Sequence, residues 1–133
     1  MRYSSLLLIC GGCLALAQIP PLPEVTPEER KAVETAAPSK PSAKPKKPRK
    51  LLVFNRDVHN GQVVKVHHAS VAIGNYALET LGRKTGAWEV TLSGDPEIWR
   101  PDSIRQFDAV CFMNTTGVLT EEKELRWSLL DFV

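Results

Sequence analysis

Two adjacent histidines and a nearby serine are the residues of this chain whose types most directly suggest chemistry. They lie in the stretch KVHHAS as His67, His68 and Ser70. An imidazole titrates near neutral pH, so His68 could act as an acid–base group or orient a ligand hydroxyl. It could equally brace the start of a helix. Ser70 has the side chain that commonly caps a helix amino terminus, so we expect it to be the N-cap.

Metal binding and nucleophilic catalysis are less well supported by the same residues. Two histidines that bind zinc on a helix are usually spaced i, i+4, whereas His67 and His68 are adjacent and their side chains point apart. We therefore expect no metal site and consider His67 an accidental neighbour. A serine nucleophile would need a Gly-x-Ser-x-Gly turn, which does not surround Ser70.

Two further groups of polar residues follow apolar runs. Arg56 comes just after KLLVFN, where its guanidinium could bind a carboxylate or a polyol oxygen or could be an exposed charge. Asn114, Thr115 and Thr116 come just after DAVCFM. These three side chains could present amide and hydroxyl groups to a ligand. They could also form a turn in which Gly117 supplies a positive φ.

The pattern around these residues alternates between strands and helices. Short apolar runs predict strands, and an apolar face with a helical period predicts the first helix of the domain, which Gly86 can end in a left-handed cap. Thr120 is the expected cap of the last helix. The predicted order is a strand in KLLVFN, a helix in ASVAIGNYALETLGRKTG, a strand in AWEVTLS, a helical turn in RPDSIRQF, a strand in DAVCFMN and a helix in LTEEKELRWSLLDFV.

This alternation predicts an α/β fold, a parallel sheet with helices on both faces and hence three layers. Ligands of such sheets bind beyond the carboxyl ends of the strands. The segments carrying Arg56, His68 and Asn114 all follow strands, so we expect them to meet at that edge.

The first seventeen residues have the features of an export signal. Arg2 is followed by an apolar stretch over residues 6–17, which ends in Ala15, Leu16 and Ala17. We expect cleavage after Ala17 and export to the periplasm or the exterior, with no stable membrane span left. A retained anchor, or lipid modification at Cys13, is the alternative. After cleavage Cys111 is the only cysteine, and we expect it to be a buried structural thiol.

Residues 18–50 differ in composition from the rest of the chain. They hold eight of its ten prolines and no aromatic residue. We expect a disordered tether in which TPEERKAVETAA could form a short helix capped by Thr26. Residues 1–50 carry nine basic and four acidic side chains, and residues 51–133 carry eight and eleven. Without interleaved aromatics we expect no nucleic-acid binding, but a spacer near anionic lipid or polysaccharide.

Several flavodoxin-like functions can be tested against the loops. A receiver domain would need an aspartate where Asn114 stands, and a flavin site would need a loop richer in Ser, Thr and Gly than NRDVHNGQ. No Gly-x-Gly-x-x-Gly or Walker-type loop occurs. We therefore expect no bound cofactor.

Residues 50–133 resemble the ThuA-like (trehalose-utilisation) domains. The matching features are LLVF with Arg56 close behind it, the step His68-Ala69-Ser70 into a helix, KTGAWEV and QFDAVCFMNTTG. The resemblance implies a fold of the class I glutamine amidotransferase-like and flavodoxin-like group, of which this stretch matches the amino-terminal half. It also implies a role in trehalose or glycoside utilisation, with Arg56, His68, Asn114, Thr115 and Thr116 in the site. A non-catalytic sugar-binding or interaction module, and an inactive gene fragment, are the alternatives.

Overall fold

The fold is a mixed α/β structure built on a parallel sheet of three strands. The computed structural model describes residues 22–65 and 68–133. Strand β1, Lys50–Phe54, lies between β4, Glu89–Ser93, and β5, Ala109–Phe112, and pairs in parallel with both. Leu52 stands opposite Thr91 on one side and Val110 on the other. The parallel sheet predicted from the alternating pattern is confirmed.

Four helices and a hairpin accompany the sheet. The helices are α1, Pro27–Ala36; α2, Ala69–Thr85; α3, Pro101–Ile104; and α4, Lys123–Phe132, with a 3₁₀ helix at Pro96–Trp99. The hairpin consists of β2, Asp57–His59, and β3, Gln62–Val64, which pair antiparallel. It occupies most of what the sequence analysis treated as an irregular loop between β1 and α2.

The core forms on both faces of β1, because this strand is central and apolar throughout. Leu52 and Phe54 belong to a cluster completed by Trp99, Ile104, Phe107 and Leu125 from the α3 and α4 side. The rings of Phe54 and Trp99 are 4.4 Å apart between centroids. Val53 points to the opposite face, since side chains alternate along a strand. It is fully buried outside that cluster, as is Val71 of α2.

Of the two ends of α2, only the carboxyl-terminal end agrees with the prediction. Gly86 ends the helix with φ 65° and ψ 17°, and its amide donates to the carbonyl of Gly82, so the predicted left-handed cap is confirmed. The N-cap is His68, however, and its side chain makes no capping hydrogen bond. Ser70 lies inside the first turn, so the prediction that Ser70 is the N-cap is wrong. The N-cap thus lies two residues before Ser70, the side chain best suited to capping.

The last helix also begins at a residue other than the predicted cap. Thr120 lies three positions before α4, and the N-cap is Glu122. The Thr120 hydroxyl instead accepts a hydrogen bond of 3.2 Å from the amide of Glu122. It therefore stabilises the turn before the helix.

Helix α2 buries a different side from the one that its apolar residues mark. Ile73, Tyr76, Ala77 and Leu81 share an apolar face, but all four are only half-buried. The most buried positions of α2 include Val71, Ala72, Asn75 and Thr80. Ala77 and Leu81 instead line a cavity of about 210 Å³ together with residues of α1. Helix α2 thus packs against the sheet on one side and against α1 on another.

Strand β5 is less buried than its apolar sequence suggests. It pairs with β1 only, and Phe112 is 43% exposed. Cys111, expected to be buried, is a free thiol of intermediate exposure. The edge position explains both observations, because one side of the strand has no neighbour among the described residues. Leu92 of β4, the opposite edge, is 41% exposed for the same reason.

The amino-terminal predictions are covered only in part. The predicted signal sequence over residues 1–17, with Cys10 and Cys13, lies outside the described residues. Within the predicted tether, Pro27–Ala36 is helical, and Thr26 and Glu29 form a capping box. This confirms the short helix, but its packing on α2 differs from a free spacer. In the part of the chain that the structure describes, no helix has the length and apolar character needed to span a membrane.

Candidate functional site

The carboxyl end of β1 leads directly into the first predicted site residue. The amide of Asn55 donates to the carbonyl of Ser93 at 2.8 Å, which extends the pairing of β1 with β4 by one residue. Arg56 follows, half-buried, and its Nη1 donates to the carbonyl of Gly94 at 2.9 Å. The loop after β4 therefore fixes the position of the guanidinium.

Burial changes the electrostatics of this guanidinium. Partial desolvation lowers the pKa of Arg56 from its ordinary value, and the nearby charge of Asp95 opposes that change. Its Nε is buried and has no hydrogen-bond partner among the described residues. An arginine in this state has donor capacity that an oxygen-rich ligand can use.

The loop after β5 joins the segment around Arg56 through the main chain. The amide of Thr116 donates to the carbonyl of Arg56 at 3.3 Å, and the amide of Val58 donates to the carbonyl of Thr116 at 3.0 Å. Asp57 and Thr116 form an isolated parallel bridge. The structure thus brings Arg56 and Thr116 together at the carboxyl edge of the sheet, as the topology predicts.

A buried carboxylate completes this group, and sequence reasoning missed it. Asp57 is 5% exposed, and its Oδ1 accepts a hydrogen bond of 3.0 Å from the Thr116 hydroxyl. The only sequence signal was its position directly after Arg56 at the end of a buried strand. In a loop of mixed polar residues that signal is weak.

The turn predicted around Gly117 is present. Gly117 has φ 78°, and a Cβ at this position would lie 2.0 Å from the carbonyl oxygen of Val58. Asn114 also has a positive φ, 52°, which asparagine tolerates better than most residues. The side chain of Asn114 is exposed and that of Thr115 is half-buried. The loop is therefore a turn that caps the strand and also leaves polar side chains at the edge.

His68 and Ser70 are less closely connected to the rest of the candidate site than Arg56 and Thr116 are to each other. His68 and Ser70 are exposed at the start of α2, and the carbonyl of His68 accepts from the amide of Val71 at 3.0 Å. No hydrogen bond between described residues joins either side chain to Arg56 or Thr116. Val66 and His67 lie outside the described residues. The expectation that His67 is not a metal ligand therefore stays a prediction.

The hairpin between Arg56 and His68 has a signal that sequence reasoning overlooked. Asn60 and Gly61 have φ values of 51° and 74° and form its two-residue turn. Asn-Gly is the commonest sequence for such a turn. The hairpin takes up most of the segment between Arg56 and His68.

Several polar atoms near the end of β1 are buried without a partner. They include Oδ1 of Asn55 and Nε of Arg56, and further along α2 both amide atoms of Asn75, counted among the described residues. A buried polar group that lacks a hydrogen bond costs about 1–3 kcal/mol, so such groups are uncommon without a function. Buried polar atoms without a partner also occur away from this edge, at Oγ1 of Thr80 and Nε1 of Trp99 among the described residues, so they are not specific to the candidate site.

The described residues contain no group of three or more histidine, cysteine, aspartate or glutamate side chains arranged to hold a metal ion. Donors and acceptors dominate the group instead: a guanidinium, a carboxylate, an amide and two hydroxyls. This combination suits hydrogen bonding to a ligand with several hydroxyl groups.

Comparison of the chain with protein-family models, with curated proteins and with solved structures finds no match. The family and the activity implied by the sequence resemblance are therefore proposals.

Proposed function

We propose that residues 51–133 are related to the amino-terminal half of the flavodoxin-like, ThuA-like domains and bind a carbohydrate at the carboxyl edge of the sheet. The ligand class is a trehalose-like sugar or another glycoside. In this proposal Arg56, Asn114, Thr115 and Thr116 bind sugar hydroxyls, and His68 and Ser70 lie beside the bound sugar.

One observation carries the proposal: the loops after β1 and β5 are hydrogen-bonded to each other through Arg56 and Thr116. This main-chain pairing holds the turn that bears an amide and two hydroxyls against the backbone of Arg56, whose guanidinium donates to the Gly94 carbonyl after β4. Polyols are recognised by donors and acceptors of this kind held on a rigid main chain. Asn55 and Arg56 supply further unused hydrogen-bonding capacity.

Acid–base catalysis by His68 is part of the enzymatic form of this proposal. A catalytic base is usually oriented by a hydrogen bond to a third group. The His68 side chain is exposed and makes no capping hydrogen bond. This observation favours, as a second candidate, a module that binds sugar without transforming it.

A binding titration with trehalose and a panel of glycosides tests the proposal on the full chain. Arg56→Met keeps the length of the side chain and removes its donors, so we expect affinity to fall by about ten-fold or more. Arg105→Met, at an exposed position just after α3, is the control and should bind as the unchanged chain does. Absence of binding, or equal binding by the two variants, would contradict the proposal. Unfolding curves show whether Arg56→Met still folds.

A hydrolysis assay on the ligand that binds best distinguishes the two candidates. Turnover that is lost in His68→Ala while binding is kept supports the enzyme. Binding without turnover in the unchanged chain supports the module.

Export belongs to the same proposal and rests on Arg2, the apolar stretch and the three residues Ala15, Leu16 and Ala17. Mass spectrometry of the protein made in a secreting host should find Gln18 at the amino terminus. Intact Met1 on protein recovered from the cytoplasm would overturn this part.

A further inference from the structure

A basic segment at the opposite edge of the sheet is held at both of its ends. Residues 40–49, here called the basic strap, carry Lys40, Lys44, Lys46, Lys47 and Arg49 and no acidic residue. They connect α1 to β1. A free spacer would not be fixed at its ends, whereas both ends of the strap contact other parts of the structure.

The first anchor lies where α1 ends against α2. Lys84 donates to the carbonyls of Glu34 at 2.6 Å and of Ala37 at 2.8 Å, which are among the last carbonyls of α1. The Glu34 carboxylate accepts from the Tyr76 hydroxyl at 3.0 Å and pairs with Arg83. Three side chains of α2 therefore fix the point from which the strap begins.

The second anchor is a single carboxylate, Asp108, which comes just before β5. Its Oδ1 pairs with Lys47 at 2.9 Å and with Arg49 at 2.7 Å. Its Oδ2 accepts from the amide of Lys50 at 3.0 Å. These contacts, led by the hydrogen bond from Lys47, hold the pKa of Asp108 far below its ordinary value. Asp108 is thus charged under all physiological conditions.

Between the anchors the strap curves around the carboxyl end of α2. It encloses a concave surface of about 720 Å³, with Thr85 and Gly86 on the opposite wall. Lys40, Lys44 and Lys46 line this surface, are exposed and form no ion pair with the described residues. Prolines at positions 41, 45 and 48 restrict the backbone between them. The three lysines therefore line one concave surface on a backbone of restricted freedom.

We propose that the basic strap is a preorganised binding site for an acidic glycan, a chain that bears sulfate or carboxylate groups. Charge complementarity sets the sign of the ligand, and the lysines supply separate point charges for successive anionic groups. The concave shape, with a volume in the range of ligand pockets, favours a chain that enters it over a flat membrane surface. The strap has no aromatic side chain on which a nucleic-acid base could stack.

This site is separate from the proposed sugar site. Lys50 and Asp108 stand at the amino ends of β1 and β5, whereas Arg56 and Thr116 stand beyond the carboxyl ends. Either proposal can therefore fail while the other holds.

The test is a titration of the full chain with a size-defined sulfated oligosaccharide, using variants that separate preorganisation from plain charge attraction. Asp108→Asn makes the net charge more positive, so attraction alone predicts tighter binding. If Asp108 holds the strap in its binding conformation, however, this substitution should weaken binding about five-fold, because the ligand must then order the strap. Asp102→Asn changes the charge equally at an exposed position of α3 and should not weaken binding.

A second variant covers the case in which Asp108→Asn does not fold. Replacing Pro41 and Pro45 by glycine keeps every charge and loosens the strap, so affinity should again fall by several-fold. Equal or tighter binding by the proline variant or by a folded Asp108→Asn would overturn the proposal. So would binding to vesicles of anionic lipid that is as tight as binding to the oligosaccharide.

Discussion

The hydroxyl of Thr116 donates a 3.0 Å hydrogen bond to the carboxylate of Asp57, which lies 59 positions earlier in the chain. The two residues also face each other in a parallel bridge beyond the carboxyl ends of β1 and β5. The sheet topology places the two loops near each other, and this hydrogen bond connects them directly. It gives the candidate site a fixed main chain on which Arg56 and the residues after β5 are displayed.

The first prediction tests how much this contact stabilises the fold. Among the described residues, the Thr116 hydroxyl is the only side-chain donor to the buried Asp57 carboxylate. Thr116→Val removes this donor, so we expect the free energy of unfolding to fall by about 1–3 kcal/mol. Urea denaturation measures the loss. Thr91→Val, at an exposed position of β4, is the matched control and should change little. Equal midpoints for the two variants would show that the contact contributes nothing.

A pair of glycines provides the second prediction. Gly61 and Gly117 both have positive φ, but an added Cβ at Gly61 would meet no atom within 4 Å, whereas at Gly117 it would meet the Val58 carbonyl at 2.0 Å. Gly61→Ala should therefore cost only the backbone strain, about 1–2 kcal/mol. Gly117→Ala should cost clearly more, because the two loops must separate. Similar thermal midpoints for both variants would contradict this account of the turn.

The start of α2 supplies a third prediction. His68 occupies the N-cap with φ −83° and ψ 115°, which suits a capping side chain, but its imidazole forms no cap. His68→Asp should stabilise the protein by about 1 kcal/mol through a hydrogen bond to an amide of the first turn. Ser70→Ala, inside that turn, should change the stability by less than about 0.5 kcal/mol. The reverse order of effects would restore Ser70 as the functional cap.

The docking of α1 predicts a dependence on pH. The hydrogen bond from Tyr76 lowers the pKa of Glu34 below its ordinary value of 4.5, against the opposing effect of desolvation, and the hydrogen bond and charge of Arg83 lower it further. The folded state thus favours the charged carboxylate. The stabilisation is fully present above the unfolded pKa and is lost as the pH falls through the lower, folded one.

Hydrogen exchange checks this prediction. The amides of α1 should keep their protection from neutral pH down to about 4.5 and lose it only in stronger acid. Glu34→Gln should lose protection already at neutral pH, while Glu79→Gln, exposed on α2, should not. Protection in Glu34→Gln that matches the unchanged chain would mean that α1 docks without this carboxylate.

The parts of the structure that follow from local patterns were predictable. The apolar runs predicted β1 and β5, the helical period predicted α2, and Gly86 marked its end. The hairpin was also readable, since Asn60-Gly61 is a strong turn signal.

The rest depends on contacts between distant residues that no local pattern contains. The hydrogen bond between Tyr76 and Glu34 holds α1 on α2, although α1 lies in a proline-rich segment. No residue of α1 is buried, so no core position in its sequence predicts this contact. Asp57 becomes a site residue only because Thr116 reaches it across the sheet edge. Helix α2 begins at Ala69, one residue before Ser70, so the N-cap is His68.

The most direct test of the central claim is a nuclear magnetic resonance titration of the full chain with trehalose, followed by the binding glycosides. The sugar site at the carboxyl edge predicts that the amides of Arg56, Asn114, Thr115 and Thr116 shift together and saturate with one dissociation constant. The amides of the basic strap should stay unchanged in the same titration. Shifts confined to the strap or to other surfaces, or no shifts with any sugar, would contradict the claim that this edge binds carbohydrate.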